Sequence, residues 1–188
     1  MPPMDVPTRE LVIDACGLIN LLATRREIEV AGALGLRLVI PRVAAEQVGY
    51  LWTPPDDEGA QTKVVANFEA LIRQGRLVVQ EIEDDAVVDA LVTLATQIDD
   101  ADAACIALAG VLQRPLVTDD KKARGIAQRT FPAMELMSSL SLLHDASRAL
   151  GWSDTVLRQV AFDVYHRGNF DPPRADPLAD WYRALLRT

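Results

Sequence analysis

The sequence lacks several features that define whole classes of proteins. Among its 188 residues there are only two cysteines and two histidines, too few for a disulfide framework and ill-suited to a structural zinc site. The longest apolar runs, such as residues 106–112, are far shorter than the ~20 residues that cross a membrane. Residues 1–7 lack the basic and apolar regions of a signal peptide. We therefore expect a cytoplasmic globular protein without a membrane segment.

Positive charge is also scarce. The chain has 27 acidic and 19 basic residues and a net charge of −8, which excludes a nucleic-acid binder held by electrostatics alone. Residues 81–102 contain eight acidic residues and no Lys or Arg, whereas residues 114–129 contain five basic residues. This contrast leaves two interpretations open: a cation site beside a phosphate-binding rim, or two solvated faces.

Short apolar segments alternate with helical patterns along the first 150 residues. Strands are predicted at residues 11–13, 38–40, 77–79, 115–117 and 134–136, and helices at 16–33, 62–73, 84–96, 99–112, 120–128 and 138–150. This alternation predicts an α/β fold with a mainly parallel central sheet. The remainder has only helical patterns, so we expect a domain at 8–150 and a helical C-terminal extension at 151–188. An apolar stripe on its last helix predicts docking on the core or on a partner subunit, with burial of Trp181 as a large share of the anchoring.

Several carboxylates fall where the predicted strands end. Asp14 directly follows the first strand, and Asp119 and Asp120 follow the fourth. Glu46 lies in a short helix after the second strand, and Asp102 lies in the first turn of a later helix. Because ligands of open parallel sheets bind beyond the carboxyl ends of the strands, we expect these acids to converge. Their oxygen ligands favour Mg²⁺ or Mn²⁺, ions that serve phosphoryl chemistry.

Each acid also has a purely structural interpretation. Asp14 can cap the helix that follows it, and Asp120 can favour the start of another helix through its negative charge. Asp99 can be an N-cap with Asp102 in the capped turn, and Glu46 can be an ordinary exposed helix residue. The joint arrangement of these residues, rather than any one of them, therefore favours a metal site.

Four segments, taken in order, resemble the motifs of PIN domains. They are VIDACGLINLL at 12–22 with Asp14, PRVAAEQV at 41–48 with Glu46, DAACIALA at 102–109 with Asp102, and LVTDDKKAR at 116–124 with Thr118 and Asp120. Their order and spacing fit over about residues 10–150. Cys16 stands where members of the family often carry Ser, Thr or Asn.

The resemblance implies a three-layer α/β/α fold and a VapC-like, Mg²⁺- or Mn²⁺-dependent ribonuclease acting on single-stranded RNA. It implies that Asp14, Glu46, Asp102 and Asp120 are catalytic and hold the metal. Beside this set, Asp119 or Asp99 can supply an additional oxygen ligand. Many proteins of this family are toxins of toxin–antitoxin pairs and are commonly dimeric. An RNA substrate, an antitoxin partner and a homodimer are therefore expected.

Other interpretations remain open at this point. A catalytically inactive, PIN-like binding or scaffold module would keep the fold, whereas a haloacid-dehalogenase-like phosphatase is disfavoured because Cys16 replaces its expected second Asp. Lys121, Lys122 and Arg124 either face phosphate or form a solvated face paired with Asp119. The tryptophans and tyrosines are too scattered along the chain to predict a stacking platform.

Overall fold

The fold is built on a five-stranded, fully parallel sheet in the order β5-β2-β1-β6-β7. A computed structural model describes residues 9–187, so residues 1–7, the predicted domain start at residue 8 and residue 188 lie outside the described range. The strands are β1 (Arg9–Ile13), β2 (Leu36–Pro41), β3 (Tyr50–Trp52), β4 (Lys63–Val65), β5 (Leu77–Gln80), β6 (Leu116–Val117) and β7 (Leu136–Met137). Strands β3 and β4 form a separate antiparallel hairpin.

Helices cover both faces of the sheet. They are α1 (Ala15–Ala23), α2 (Glu27–Ala33), α3 (Arg42–Ala45), α4 (Glu69–Arg73), α5 (Asp85–Ala95), α6 (Asp100–Val111), α7 (Lys121–Thr130), α8 (Ser139–Leu150), α9 (Asp154–Arg167) and α10 (Ala179–Leu186). Helix α6 packs on the sheet with α5 and α7 beside it, and α1 and α2 pack with α8. The predicted three-layer α/β/α fold with a helical C-terminus is confirmed. Across residues 9–187, every helix is too short or too polar to cross a bilayer.

Burial on both sides explains the composition of the central elements. Leu11, Val12 and Ile13 of β1 are all fully buried, as expected for a parallel strand covered by helices on both faces. Helix α6 is apolar around most of its circumference because it lies between the sheet and neighbouring helices, and Cys105 is part of this buried surface. The core therefore fixes the strand ends from which the polar residues emerge.

Two of the predicted helices are wrong in part. The predicted helix at 16–33 is broken between α1 and α2, where Thr24 donates its hydroxyl to the Leu21 carbonyl at 2.6 Å and Arg25 adopts a φ of 57°. The predicted helix at 62–73 is helical only in α4, since residues 63–65 form β4. The β-branched side chains of Val64 and Val65 suit a strand, and pairing with β3 makes these residues a strand rather than a helix.

The C-terminal segment docks within the chain, but its anchor differs from the prediction. Helix α9 packs on α1, and α10 packs on α9. Trp181 is only half-buried, with its ring centroid 5.2 Å from that of His144. Tyr182 is 1% exposed and donates its hydroxyl to the Ala161 carbonyl at 3.0 Å. Tyr182, rather than Trp181, is therefore the main anchor of α10.

Candidate active site

The polar residues meet where the order of the sheet reverses. From β1 the chain proceeds to β2 and β5 on one side and later to β6 and β7 on the other, which leaves a crevice beyond the carboxyl ends of β1 and β6. A cavity of about 260 Å³ opens there. We call this cavity the acidic cleft, because its lining includes Asp14, Asp99, Asp102 and Asp120. Cys16 and Gln47 also line it.

Asp14 is the most deeply buried acid of the cleft. Its side chain caps α1 by accepting the Gly17 N–H at 2.5 Å, and its own N–H binds the Val117 carbonyl at 3.1 Å. Burial raises the pKa of Asp14 to about 6, although hydrogen bonds from the Thr118 hydroxyl and the Gly17 N–H oppose the rise. The charges of Asp119 and Asp120 raise it further. The capping interpretation is therefore correct, and it places a desolvated carboxylate in the cleft.

Gly17 makes this position of Asp14 possible, and the sequence analysis missed it. A Cβ atom on residue 17 would lie 3.0 Å from Asp14 Oδ1 and 3.0 Å from Ile13 Cγ1. These contacts are tighter than ordinary van der Waals contacts, so a side chain at residue 17 would require the Asp14 carboxylate or the Ile13 side chain to shift by a few tenths of an ångström. A glycine three residues after a capping Asp was the sequence feature that could have revealed this packing.

Asp99 and Asp102 approach the cleft from the start of α6. Asp99 is the N-cap and accepts the Asp102 N–H at 3.1 Å. Burial raises the pKa of Asp102 to about 7, with further contributions from the charge of Asp99, a hydrogen bond with Asp99, and the charges of Asp14 and Asp120. The predicted cap and the predicted site residue are thus neighbours in one acidic cluster.

Asp119 and Asp120 follow β6 but face different cavities. Asp120 caps α7 by accepting the Ala123 N–H at 2.6 Å, and it lines the acidic cleft. The Asp119 carboxylate accepts the Ser139 N–H at 2.9 Å, the Ser139 hydroxyl and the Asn20 amide at 3.1 Å. It lines a separate cavity of about 160 Å³. Asp119 therefore joins the end of β6 to the start of α8 and to the middle of α1, outside the lining of the acidic cleft.

Glu46 also lies outside the lining of the cleft. Helix α3 is a single turn, and Glu46 is its exposed C-cap. The next residue, Gln47, lines the cleft instead. The structure thus brings three of the five predicted site acids together in the acidic cleft, namely Asp14, Asp102 and Asp120. Glu46 and Asp119 lie at the margins of the cleft.

The donor set suits a divalent cation that retains part of its water shell. Among residues 9–187, no group of three or more His, Cys, Asp or Glu side chains is arranged to hold an ion directly. Mg²⁺ commonly binds through only one or two carboxylates and keeps several waters, a mode that the acidic cleft can provide. The raised pKa values of Asp14 and Asp102 reflect burial and mutual repulsion, and a cation would relieve the repulsion between the ionised carboxylates.

The raised pKa values predict that the metal-free protein loses stability as the pH rises. Between the unfolded value of 3.8 and the folded values of about 6 for Asp14 and about 7 for Asp102, the folded state binds more protons than the unfolded state. The melting temperature in chelator should therefore fall from pH 5 to pH 8. The stabilisation by added Mg²⁺ should increase over the same range, because the ion binds the ionised carboxylates.

Asp14→Asn provides the control for this pH dependence. The variant should show a shallower decline of melting temperature in chelator, because one of the two titrating groups is absent. A decline equally steep in the variant and the parent would assign the effect to groups other than Asp14.

Comparison with known proteins agrees with this geometry. A search of curated proteins gives no match, but a family model described as PIN domain matches residues 10–149. The matched range contains the acidic cleft and all four motif segments. PIN domains are in general nucleases and typically use divalent metal ions. Since the match covers most of the sequence, the chain belongs to the PIN-domain family.

Proposed function

We propose that the protein is a Mg²⁺- or Mn²⁺-dependent endoribonuclease that hydrolyses phosphodiester bonds of single-stranded RNA. The observation that carries this proposal is the convergence of Asp14, Asp102 and Asp120 in the acidic cleft, at the point where the sheet order reverses. Membership of a family of nucleases supports the same reaction class.

In this proposal the acids have different roles. Asp14, Asp102 and Asp120 would hold the divalent ion partly through its retained waters, and Glu46 would assist from the margin of the cleft through water. Asp119 positions the loop after β6 through its bonds to Ser139 and Asn20. When bound, such an ion lowers the pKa of water and offsets negative charge on a phosphate.

A cavity next to the acidic cleft supports a polyanionic substrate. It is open, has a volume of about 680 Å³ and shares Asp120 with the cleft. We call its cationic side chains, Lys121, Lys122 and Arg129, the basic rim. Within residues 9–187 neither lysine forms an ion pair with a carboxylate. These free charges favour the interpretation that the rim contacts phosphate.

Arg124 has a structural role instead. Its guanidinium donates to the Thr118 and Met137 carbonyls, each at 2.9 Å. These bonds connect α7 to the ends of β6 and β7. A solvated face would also pair these basic side chains with Asp119. Among the described residues no such pair forms, because Asp119 binds Ser139 and Asn20 instead. Of the basic residues singled out in the sequence, the two lysines are therefore the candidates for phosphate contact.

Neutralising the basic rim should weaken RNA binding in a salt-dependent way. We expect Lys121→Gln/Lys122→Gln to bind a single-stranded oligoribonucleotide more weakly in chelator. If both lysines contact phosphate, the slope of log affinity against log salt should fall by about 1.4, at ~0.7 per contact. Arg73→Gln is the matched control, because Arg73 is an exposed cation at the end of α4, outside both cavities. Equal salt slopes for the double variant and the parent would contradict the assignment.

A thermal titration tests the metal requirement of the proposal. A functional cleft should gain stability on binding Mg²⁺ or Mn²⁺, so the melting temperature should rise with ion concentration. Asp102→Asn should reduce this rise, whereas the remote exposed acid variant Asp154→Asn should retain it. An unchanged melting temperature in the parent would contradict metal binding to the folded cleft.

One observation favours an inactive binding or scaffold module as the second candidate. The described residues contain no ready-made group of three metal-binding side chains. Such a module would bind RNA or protein without cleavage and would show no metal-induced shift. Detection of metal-dependent cleavage would decide between the two candidates.

The proposed biological setting is that of a toxin with an antitoxin partner, acting as a homodimer. It is supported by the resemblance to VapC-like ribonucleases. A short adjacent reading frame encoding a DNA-binding protein would strengthen the toxin assignment. Analytical ultracentrifugation of the full chain, alone and with that protein, would test both associations.

A further inference from the structure

The β3–β4 hairpin presents a mixed aromatic and cationic surface. Tyr50 pairs with Val65 and Trp52 pairs with Lys63. Because successive side chains of a strand point to opposite faces, one face of the hairpin carries these four side chains. Leu51 lies on the opposite face and is buried. We call the surface formed by Tyr50, Trp52, Lys63 and Val65 the hairpin face.

Its aromatic and cationic groups are in contact. The ring centroids of Tyr50 and Trp52 are 5.6 Å apart, with the ring planes perpendicular. Lys63 Nζ lies 3.8 Å from the Tyr50 ring centroid and 5.2 Å from that of Trp52. Tyr50 is 42% exposed and Val65 is 79% exposed. Tyr50 and Trp52 thus form an aromatic pair, although the aromatic residues are scattered along the sequence as a whole.

The hairpin face is also near the acidic cleft. Gln47 lines the cleft, and β3 begins three residues later at Tyr50. Three residues span at most about 11 Å even when fully extended. A single-stranded RNA with one phosphate in the cleft can therefore reach the hairpin with a neighbouring part of the same strand.

From these contacts we infer that the hairpin face is a subsite for an unpaired nucleobase of the RNA substrate. The base stacks on the Trp52 ring, against which the perpendicular Tyr50 ring packs, and the Lys63 ammonium binds an adjacent phosphate. Base–aromatic stacking tolerates any base, because every base has a π-face. This inference rests on the proposed ribonuclease function and adds a reason for preferring single-stranded substrates.

The size and charge of the surface favour RNA over a second copy of the chain. A stable protein interface buries ~800 Å² on each partner, and four side chains of one hairpin cannot provide that area alone. Lysine is also depleted at the centre of protein interfaces, whereas here Lys63 lies over both rings. A cation held between aromatic rings instead matches a ligand that has both bases and phosphates.

Fluorescence anisotropy with a labelled single-stranded 12-nucleotide RNA in chelator tests the subsite on the 188-residue chain. Trp52→Ala should weaken binding by about tenfold, as expected for the loss of one stacked base, and Trp52→Phe should restore most of the affinity. Lys63→Gln should weaken binding and reduce its salt dependence. Phe162→Ala is the matched control, because Phe162 is a 40% exposed aromatic in a different cavity, with Leu185. The same RNA in a duplex should bind parent and Trp52→Ala equally.

Two results would overturn the subsite. The first is single-strand affinity for Trp52→Ala and Lys63→Gln within about twofold of the parent. The second is a parent dimer that Trp52→Ala converts to monomers without a change in RNA affinity per chain, which would make the hairpin face a self-interface. Cleavage assays on the same samples distinguish a failure of the subsite from a failure of the proposed ribonuclease function. If the parent neither binds nor cleaves RNA, the ribonuclease proposal itself fails.

Discussion

Asp14→Asn is expected to abolish RNA cleavage while leaving the metal-free protein at least as stable as the parent. Asn can still accept the Gly17 N–H that caps α1, because Asn and Asp are comparable N-caps. The substitution removes a carboxyl group, and burial raises the pKa of that group to about 6. At pH 8 the variant therefore avoids the cost of an ionised buried carboxylate, but it binds a divalent cation more weakly.

Three measurements on Asp14→Asn distinguish catalysis from capping. Cleavage should be lost, the melting-temperature rise on adding Mg²⁺ should shrink, and the melting temperature in chelator should be equal or higher. Asp84→Asn is the matched control, because Asp84 is an exposed N-cap that accepts the Ala86 and Val87 N–H groups at the start of α5. The control should cleave like the parent. Parental cleavage by Asp14→Asn would refute the proposed site, and severe destabilisation of its metal-free form would make Asp14 mainly a structural cap.

Tyr182→Ala is expected to cause the largest loss of stability among single changes in the C-terminal segment. The side chain is 1% exposed, its ring packs 5.9 Å from that of Phe170, and its hydroxyl bonds to Ala161. Truncating a buried aromatic side chain costs about 3–5 kcal/mol in the free energy of unfolding. Trp181→Ala should cost less, because Trp181 is only half-buried.

Urea unfolding followed by circular dichroism measures these differences. Tyr182→Phe keeps the ring and loses the bond to the Ala161 carbonyl, so it should cost only about 1 kcal/mol. Truncation after Phe170 removes all of α10 and should destabilise the protein at least as much as Tyr182→Ala. If Trp181→Ala proved more damaging than Tyr182→Ala, the assignment of the anchor would be wrong.

The central sheet could be predicted because its signals are local. The apolar segments of β1 and β2 are almost wholly buried inside the sheet, and β5 begins with the buried Leu77, so hydrophobicity alone locates them. The positions of Asp14 and Asp120 could be predicted because both residues come shortly after a strand, and the parallel topology brings these strand ends to one edge of the sheet. Family membership could be predicted for the same reason, since the motifs lie at these strand and helix ends.

Other features depend on contacts between distant residues. Asp119 and Asp120 are adjacent in sequence, but only the position of Ser139 shows that Asp119 turns away from the cleft. Residues 63–65 form strand β4 because they pair with β3. The sequence pattern of residues 62–73 indicated a helix and gave no sign of this pairing. Likewise, the helical spacing of α10 suggested Trp181, but the packing of α10 on α9 buries Tyr182.

Incubation with a circular single-stranded RNA tests the proposed endoribonuclease most directly. A circle has no ends, so only an endonuclease can convert it to linear products. We predict linear products for the parent with Mg²⁺ or Mn²⁺, and intact circles in chelator or with Asp14→Asn. Circles that stay intact with the parent and either ion, while the protein binds the RNA, would contradict the proposed endoribonuclease and favour the inactive binding module.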